Sequence, residues 1–394
     1  MRSNRRLVYI CPEFPGFARF GGIGAGMQVE AEWFASEGCD VHVICPTSEY
    51  PSGRFRQNRV TVHVISPSPL RKIRAFTDRV RTAHLAQRLA GGDSGIVICG
   101  DFTGPLWVKP SRVPLLVQLH GSAMLLAGYC GPACTGRLSY FEKRTVEMAD
   151  TLQAVSGFVA RTTARLANLN GKPLEIIPLS TDPARFRSPA QPANPQEILF
   201  VGGKLSELKG IFTLAAAMGD VFREFDSARL MMVARDSAIS GRSAKALFLE
   251  RIPAEFHSRI TFQERASQGE VRSLMEQCGM LVVPSFVETL SVVAIEAMAS
   301  GRPVIASNRG GLPEVVRDGL TGLLADPDNP PEFTQAISAL LRNPELAATL
   351  GAAGRRVARA EYSPEAVFRR VRELHDHLLS SVPRATAALT LAGR

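Results

Sequence analysis

The sequence predicts an α/β protein with two doubly wound parallel sheets, one in each half of the chain. Segments rich in Val, Ile and Leu alternate with segments of helical periodicity, a pattern typical of parallel sheets covered on both faces. The alternation stops once, at residues 185–196, which are rich in Pro, Ala and Gln and lack an apolar period. The length of 394 residues, 45% hydrophobic and 21% charged, suits two soluble cores.

The first half, residues 1–184, begins with a strand and continues as strands and helices in turn. Gly38 follows the first helical segment and is predicted to cap it in the left-handed conformation. Short apolar runs bounded by Gly, Pro or Ser predict strands at 6–14, 39–46, 59–67, 95–100, 113–121, 151–156 and 174–180. Helical periodicity predicts helices at 26–38, 138–150 and 157–169.

The second half, residues 197–362, repeats the pattern after the predicted 185–196 linker. Strands are predicted at 197–203, 228–236, 259–264, 279–285, 302–307 and 321–327. Helices are predicted at 209–225, 268–278, 290–301, 312–319, 330–343 and 344–360. A final helix follows within residues 363–382, and residues 383–394 are predicted to be a loose tail.

The net charge of +9 is concentrated in part at residues 70–90, where Ile73, Phe76 and Val80 recur at helical spacing among basic residues. Two interpretations remain open: a surface helix with a solvated face, or a patch that faces an anionic membrane or a phosphate-bearing substrate. Nucleic-acid binding is not supported, since no aromatic-rich basic motif or helix-turn-helix signature is present. Seven scattered cysteines and the lack of an apolar run long enough for a membrane span predict a cytoplasmic protein.

Two glycine-containing segments are candidate anion sites. Gly22, Gly24 and Gly26 approach the spacing of a dinucleotide fingerprint, but they lie too far after the first strand, and the next strand ends without an acidic residue for the ribose. A glycine loop that enters a helix can still bind an anion, and this interpretation is favoured over the alternative of a flexible surface loop. In the second half, Lys204 and Lys209 follow a strand and precede a helix, where they could bind a diphosphate or be solvated lysines.

Two carboxylates, Glu288 and Glu296, interrupt a segment that otherwise has the composition of a buried helix and strand. A helix is predicted to begin near Thr289, capped by Thr289 or Ser291, which places Glu288 at its entrance and Glu296 in its second turn. Such a helix start could bind a diphosphate, with one glutamate on a sugar and the other on a ribose. The alternative is structural: dipole stabilisation by Glu288 and a salt bridge from Glu296.

These residues resemble those of the family 4 glycosyltransferases, retaining enzymes of the GT-B fold. The resemblance rests on an E-x7-E pair, the following AMASGRPVIASNRGGLPEVVRDGLTGLLADP, and the upstream FVGGKLSELKG and VVPS. Weaker matches in GGIGAGMQVEAEWFASEGCDVHVI, LLVQLHGS, ADTLQAVS and IIPLSTDPARF extend it over most of the chain. It implies two Rossmann-like domains that face a central cleft, acceptor side first and donor side second, with the last helix crossing back onto the N-terminal domain.

The resemblance also implies roles for individual residues. His120 would contact the donor sugar near the reacting carbon, Lys204 and Lys209 would neutralise the diphosphate, Glu288 would bind sugar hydroxyls and Glu296 the ribose. The remaining donor-binding residues implied are Gly21, Gly22, Thr289, Leu290 and Ser291. This chain departs from the family pattern with Lys204 in place of Arg, and with Thr289-Leu290-Ser291 in place of Gly-Phe-Gly.

The implied activity is transfer of a sugar from a UDP- or GDP-linked donor to an acceptor hydroxyl with retention of configuration, in the synthesis of a cell-surface polysaccharide or glycolipid. We identify no D-x-D pair of the kind that metal-dependent transferases use, so neither a metal nor another cofactor is expected. The implied partners are the donor and a saccharide or lipid-linked acceptor, with the basic segment as a candidate for peripheral contact at the inner membrane face. A nucleotide-sugar epimerase and a non-catalytic nucleotide-sugar binding protein remain as alternatives.

Overall fold

The computed structural model describes residues 5–18, 22–91, 94–104, 113–121, 125, 136–169, 171–182, 186 and 194–381. The chain divides into two compact units by its internal contacts. The first unit contains the residues up to Ser180 together with those from Val367 onward, and the second runs from Thr181 to Ala366. Each unit is an α/β layer structure, so the predicted fold class is confirmed.

The first unit contains eight strands among its described residues. They are β1 (Arg6–Ile10), β2 (Asp40–Pro46), β3 (Gly53–Gln57), β4 (Val60–Ile65), β5 (Gly95–Gly100), β6 (Leu115–Leu119), β7 (Thr151–Ala154) and β8 (Leu174–Ile176). The helices between them are α1 (Gly22–Ser36), α2 (Arg74–Ala90), α3 (Gly136–Met148) and α4 (Gly157–Leu166). The first helix is followed by Gly38 at φ +91°, as its position in the sequence predicts.

The first sheet has the strand order β3-β4-β2-β1-β5-β6-β7-β8 and is parallel except for β3, which pairs antiparallel with β4. From β1 the chain first builds outward through β2 and β4, and then returns to place β5 on the other side of β1. The strand order therefore reverses between β1 and β5. In open α/β sheets ligands bind at the carboxyl ends of the strands at such a reversal.

The second unit contains a parallel sheet and a small hairpin. Its strands are β9 (Asn194–Lys204), β10 (Arg229–Arg235), β11 (Ala238–Ile239), β12 (Arg242–Ser243), β13 (Ile260–Gln263), β14 (Cys278–Val283), β15 (Val304–Ser307) and β16 (Gly322–Ala325). Its helices are α5 (Ile211–Glu224), α6 (Ala244–Leu249), α7 (Gln268–Gln277), α8 (Val292–Ala299), α9 (Leu312–Val315), α10 (Pro330–Arg342) and α11 (Pro344–Glu361). The last helix of the chain, α12, spans Pro364–Ser381.

The strand order of the second sheet is β13-β10-β9-β14-β15-β16, so its reversal lies between β9 and β14. A core of buried aliphatic and aromatic side chains, including Phe200, Phe222 and Phe248, fills the space between sheet and helices. The segments that follow β9 and β14 contain most of the candidate donor-binding residues. The topology therefore places these residues where doubly wound sheets bind ligands.

The C-terminal helix α12 packs within the first unit. Val367, Phe368, Val371, Leu374 and Leu378 are buried in the same core as strands β1, β2 and β4. The ring of Phe368 lies 5.2 Å from that of Trp33 and 6.0 Å from that of Phe34, both on α1. An ion pair between Arg5 and Asp376 ties the helix to the start of β1. These contacts hold the last helix against the half of the chain that is most distant from it in sequence.

Several predicted boundaries were wrong. Helix α1 begins at Gly22 rather than at residue 26, so the glycine-rich segment forms its first turns. Strand β9 begins at Asn194, inside the predicted linker, most of which lies outside the described residues. The hairpin strand β3 was not predicted, because RFRQ lacks the apolar alternation that the prediction relied on. The predicted C-terminal tail, 383–394, also lies outside the described residues.

The start of helix α2 and the turn before it expose apolar side chains. Leu70, Ile73 and Phe76 are 56%, 53% and 53% exposed, although their spacing in the sequence would suit a buried face. The buried side of α2 is instead formed by small residues, namely Thr82, Ala83, Ala86 and Ala90. Across the described part of the chain, no helix is both long enough and apolar enough to cross a membrane.

Candidate functional site

Lys209 and Glu288 meet at the reversal point of the second sheet. Lys209 ends a 3-10 turn, Glu207–Lys209, between β9 and α5, and Glu288 lies in the loop between β14 and α8. Lys209 Nζ lies 2.5 Å from Glu288 Oε1, and the Ser285 hydroxyl donates to the same oxygen at 3.3 Å. The side chains of Lys209 and Glu288 are 32% and 14% exposed. The pair is therefore partly withdrawn from water yet still accessible to a ligand.

The loop that carries Lys209 can only approach the Glu288 loop because residue 210 is glycine. Gly210 has φ +68°, and a Cβ at this position would lie 1.9 Å from the carbonyl oxygen of Pro284. The backbone N–H of Phe286 donates to the carbonyl of Leu208 at 2.9 Å. Glycine is thus required twice here, for its left-handed conformation and for close backbone contact.

A second close approach, from Gly310 and Gly311, holds the other side of the Glu288 loop. Gly311 N–H donates to the Glu288 carbonyl at 2.8 Å. A Cβ on Gly310 would lie 2.5 Å from the Glu288 carbonyl oxygen, and one on Gly311 would lie 2.3 Å from that of Thr289. The glycine pair in the sequence is the signal for this contact. Glu288 is therefore held in place from both sides by backbone packing.

Helix α8 begins at Val292, three residues later than predicted from Thr289. Ser291 is its N-cap by position, but it has φ +72° and its hydroxyl makes no capping hydrogen bond. That hydroxyl is buried and has no hydrogen-bond partner among the described residues. The predicted cap at Ser291 was wrong because a left-handed residue turns its side chain away from the helix amides. Glycine adopts this conformation at lower cost than serine.

Glu296 lies on α8 and is half-buried. Burial raises the pKa of its carboxyl to about 7, an effect that the positive charge of Arg272 on α7 partly opposes. The Glu296 side chain makes no hydrogen bond to any described residue, whereas its backbone carbonyl accepts from Ser300. The predicted alternative of a structural salt bridge is therefore not supported by a direct contact within the described residues.

We expect Glu296→Gln to stabilise the protein at alkaline pH. The native carboxyl binds its proton up to a pKa of about 7, whereas an unfolded chain releases it near 4.5, so stability falls as pH rises through this window. The substitution removes this loss of unfolding free energy, which we expect to be about 1–3 kcal/mol above pH 7. Urea unfolding of both proteins at pH 5 and pH 8 measures it. An equal difference between the two proteins at both pH values would contradict the raised pKa of the Glu296 carboxyl.

Lys204 is the last residue of β9 and is exposed. It pairs in register with Arg235 on β10, and the Arg235 guanidinium donates to the carbonyl of Gly203 at 3.1 Å. Unlike Lys209, it makes no hydrogen bond or ion pair with any residue that the structure describes. The sequence therefore located both lysines at the same sheet edge, but only Lys209 contacts another candidate residue.

In the first unit, His120 follows β6 and is 5% exposed. Burial lowers the pKa of its imidazole to about 4, so the ring is neutral at physiological pH. Its Nε2 atom is buried without a hydrogen-bond partner among the described residues. An unsatisfied buried nitrogen costs about 1–3 kcal/mol. A ligand that supplies the missing hydrogen bond would recover this energy, which is consistent with a contact to substrate.

Asp101 positions the His120 loop and was missed in the sequence. Its Oδ2 accepts the backbone N–H groups of His120 and Gly121 at 3.1 and 3.0 Å. Gly121 has φ +75°, which turns the chain sharply after the histidine. An acidic residue directly after the buried strand β5 was the available signal, because carboxyl ends of neighbouring parallel strands meet at one edge of the sheet.

The glycines at the start of α1 serve different purposes. A Cβ on Gly24 would lie 2.1 Å from the Glu13 carbonyl oxygen, whereas one on Gly22 would meet no atom within 4 Å. The Gly24 N–H donates to the Glu13 carboxylate at 2.8 Å. Gly24 is therefore required by packing, while Gly22 is exposed and has no structural need to be glycine. The other predicted glycine, Gly21, lies outside the described residues.

No group of three or more His, Cys, Asp or Glu side chains in the described ranges is arranged to hold a metal ion. The expectation that no metal or other cofactor takes part stays a prediction. The ammonium of Lys209 is in direct contact with Glu288.

Two family models match the chain and together span most of it. One, described as glycosyl transferases group 1, matches residues 182–357, and the other, a glycosyl transferase 4-like domain, matches residues 21–180. The chain is 30% identical over 369 residues to a D-inositol 3-phosphate glycosyltransferase of Segniliparus rotundus, which covers 86% of this chain and 81% of that protein. A segment of 121 residues is 42% identical to an uncharacterized glycosyltransferase of Methanocaldococcus jannaschii, covering 31% of this chain and 34% of that protein.

Solved structures match over nearly the whole chain. Sucrose-phosphate synthase from Thermosynechococcus elongatus has a TM-score of 0.78 at 22% identity, over 95% of this chain and 99% of that one. Anabaena HepE in complex with UDP and glucose has a TM-score of 0.69 at 17% identity, over 95% of this chain and 99% of that one. At these identities the similarity establishes the fold.

Proposed function

The chain belongs to the family 4, or group 1, glycosyltransferases of the GT-B fold, and from this premise we propose that it transfers a sugar with retention of configuration from a UDP- or GDP-linked donor. Nucleotide-sugar glycosyl transfer is the activity of the family. The finer proposal rests on one observation: Lys209 and Glu288 form a partly buried ion pair on glycine-locked loops at the reversal point of the second sheet.

Charge is what this pair contributes to the reaction. Cleavage of the glycosidic bond leaves negative charge on the diphosphate, and a fixed ammonium such as that of Lys209 stabilises it most in the transition state. Glu288 lies beside Lys209 and would accept hydrogen bonds from sugar hydroxyls, which orients the sugar against the leaving group. Lys204, the α8 amides, and Thr289, Leu290 and Ser291 would complete the diphosphate and sugar contacts. The same proposal holds that the lysine ammonium groups, and no metal ion, neutralise the diphosphate.

The remaining site residues are assigned by the same proposal. Glu296 would accept hydrogen bonds from the ribose, Gly22 would donate its N–H to donor phosphate, and His120 would contact the transferred sugar through its unpartnered Nε2. Support for a uridine donor comes from the Anabaena HepE structures, whose bound ligands are UDP, glucose and UDP-glucose. Gly22 is exposed, and no atom lies within 4 Å of the place where a Cβ would stand. This open space supports close approach of a phosphate to the Gly22 N–H.

The proposal is tested by supplying the purified protein with UDP- and GDP-sugars and identifying the products. A donor that is bound at ~100 times its dissociation constant should add ~2.7 kcal/mol to stability, which identifies the base by thermal shift. NMR of the product formed with that donor then gives the anomeric configuration. Inversion at the anomeric carbon, or loss of turnover on addition of EDTA, would contradict the retaining, metal-independent mechanism.

An epimerase of similar two-lobed fold is the alternative enzyme. It would convert the donor sugar in the absence of any acceptor, with no release of nucleoside diphosphate. A transferase releases one nucleoside diphosphate for each sugar transferred. Incubating the protein with donor alone and analysing the nucleotide sugars by chromatography separates the two activities.

We further propose that the acceptor is a growing cell-surface polysaccharide or a lipid-linked sugar at the inner membrane face, bound by the N-terminal half. The supporting feature is the tip formed by Leu70, Ile73 and Phe76, which is apolar, exposed and flanked by the exposed cations Lys72 and Arg74. An anionic bilayer is complementary to this tip, since the aromatic and aliphatic side chains can enter the interface while the cations contact lipid phosphates.

We expect Ile73→Ser combined with Phe76→Ser to weaken binding to anionic vesicles ~10-fold or more, because two exposed side chains lose their burial in the interface. Both residues are exposed, so the fold should be retained. Sedimentation with phosphatidylglycerol vesicles measures the effect. The matched control is Leu166→Ser with Leu320→Ser, which removes two apolar residues of similar exposure, 45% and 51%. Equal binding by both double variants, or unchanged binding when Arg71, Lys72 and Arg74 become serine at low salt, would overturn the membrane proposal.

A further inference from the structure

A cavity of about 720 Å³ lies between helix α2 and the end of strand β4. Its lining residues are Ile65, Arg81, His84, Leu85, Gln87 and Arg88. Two arginines and a histidine contribute to it, and no carboxylate does. The volume is within the range of small-molecule sites, about 300–1,000 Å³.

The neighbouring edge of the first sheet, formed by β3 and β4, carries further basic residues. Side chains alternate along β4, and Val60, Val62 and Val64 are buried in the core with α1, so Thr61, His63 and Ile65 belong to the face that contains the cavity. Strand β3 pairs antiparallel with β4, with Arg54 opposite His63 and Arg56 opposite Thr61. Directly opposed residues share a face. We define the cationic groove as the cavity with its Arg81, His84 and Arg88, together with Arg54, Arg56 and His63 on the same face of the neighbouring strands.

Within the groove, little neutralises this charge. Arg54, Arg56 and Arg88 form no ion pair or hydrogen bond with any residue that the structure describes. The nearby carboxylates are already engaged: Asp78 accepts from the Ser68 N–H at 2.7 Å and from Arg81 at 3.4 Å. Asp40, at the start of β2, pairs with Arg6 at 2.8 Å and with His42 at 3.2 Å.

A structural arginine on the same helix shows the contrast. Arg79 donates to the Phe102 carbonyl at 2.7 Å and lies over the Phe141 ring at 4.3 Å. The groove arginines lack such internal partners, apart from Arg81, which also donates to the Ser66 carbonyl at 3.0 Å. The pKa of His63 is lowered to about 4, first by burial and then by the positive charge of His42 and Arg54. The His63 ring is therefore neutral at physiological pH, and the positive charge of the groove comes from its arginines.

We propose that the cationic groove binds an anionic saccharide segment, with phosphate or carboxylate groups on its sugars, at a site separate from the donor-binding residues. Arginine forks bind both kinds of oxyanion, while His84 and Gln87 offer hydrogen bonds to hydroxyls above the apolar floor of Ile65 and Leu85. The choice of a saccharide rests on the proposed function as a glycosyltransferase. A chain held there would raise the local concentration of its own acceptor end.

The test uses the full-length protein, tetragalacturonate as the anionic probe and maltotetraose as the neutral one, with calorimetry at low salt. Tetragalacturonate should bind, and Arg54→Ser with Arg88→Ser should weaken its binding ~10-fold, the combined effect of two exposed ionic contacts. The control is Arg356→Ser with Arg369→Ser, which removes the same charge from two other exposed arginines that make no hydrogen bond or ion pair with any residue the structure describes. The control should bind as the wild type does.

Binding of UDP and GDP, measured on the same proteins, separates this proposal from the proposed function. Both double variants should bind UDP and GDP with the affinity of the wild type. If the wild type binds tetragalacturonate but transfers no sugar, only the transferase proposal is contradicted. Equal affinity for maltotetraose, equal loss in the control, or binding of inorganic phosphate as tightly as the tetrasaccharide would overturn the saccharide site. The proposal would also be overturned if the wild type bound no tetragalacturonate and the Arg54→Ser, Arg88→Ser variant lost binding to phosphatidylglycerol vesicles. That result would assign the groove to lipid instead.

Discussion

Glu288→Gln should lower kcat by ~10²-fold while the dissociation constant for the nucleoside diphosphate changes little. The amide preserves the size of the side chain and can still accept a hydrogen bond from Ser285, so the loop should remain folded. What is lost is the negative charge that lies against Lys209 and, in the proposed reaction, beside the carbon that becomes oxocarbenium-like. Removal of one comparable transition-state contact costs about 10²–10³-fold in other enzymes.

The contrast with Glu296 makes this prediction specific. Glu296→Ala removes contacts to the ribose that exist equally in the ground and transition states, so it should raise the donor KM and weaken product binding with little change in kcat. Glu207→Gln is the charge-matched control, because Glu207 is exposed on the same short turn as Lys209. Steady-state kinetics with calorimetry measures all three. Full activity in both the Glu288 and Glu296 variants would make the carboxylates structural and refute the donor-binding assignment.

Gly24→Ala should destabilise the first unit by about 3 kcal/mol or prevent its folding, whereas Gly22→Ala should leave stability unchanged. The Cβ of an alanine at 24 would lie 2.1 Å from the Glu13 carbonyl oxygen, a backbone atom that cannot move without shifting the segment after β1. At position 22 the same Cβ meets nothing within 4 Å. Thermal and urea unfolding of the two variants measure the difference.

The Gly22 variant is informative because it is folded. If a donor phosphate approaches the Gly22 N–H, a methyl group there should raise the donor KM ~10-fold or more, while Tm stays within about 2 °C. Gly203→Ala is the control, because it adds a methyl group beside the other predicted anion site and its Cβ also meets no atom within 4 Å. Unchanged donor KM in Gly22→Ala would show that the start of α1 does not contact the donor.

Local sequence patterns were sufficient to predict most helices and strands and to locate most of the candidate residues. Apolar runs located the strands around β1, β2, β9, β10 and β14 because parallel strands buried on both faces have continuous apolar sequences. The same patterns placed Lys204 and Lys209 after one strand and Glu288 after another. They failed at β3, whose residues are largely polar, and at the start of α1, where three glycines have low intrinsic helix propensity.

The sequence by itself determined the fold class, the family and the residue types available at the carboxyl ends of the strands. Only the tertiary structure decided which of them meet. Lys209 and Glu288 are 79 positions apart, and they touch because β9 and β14 are neighbours and because Gly210, Gly310 and Gly311 let three backbones pack closely. Packing of this kind depends on the space left by distant segments, which also explains why Gly24 is required, Gly22 is free, and Asp101 positions His120 from a neighbouring strand.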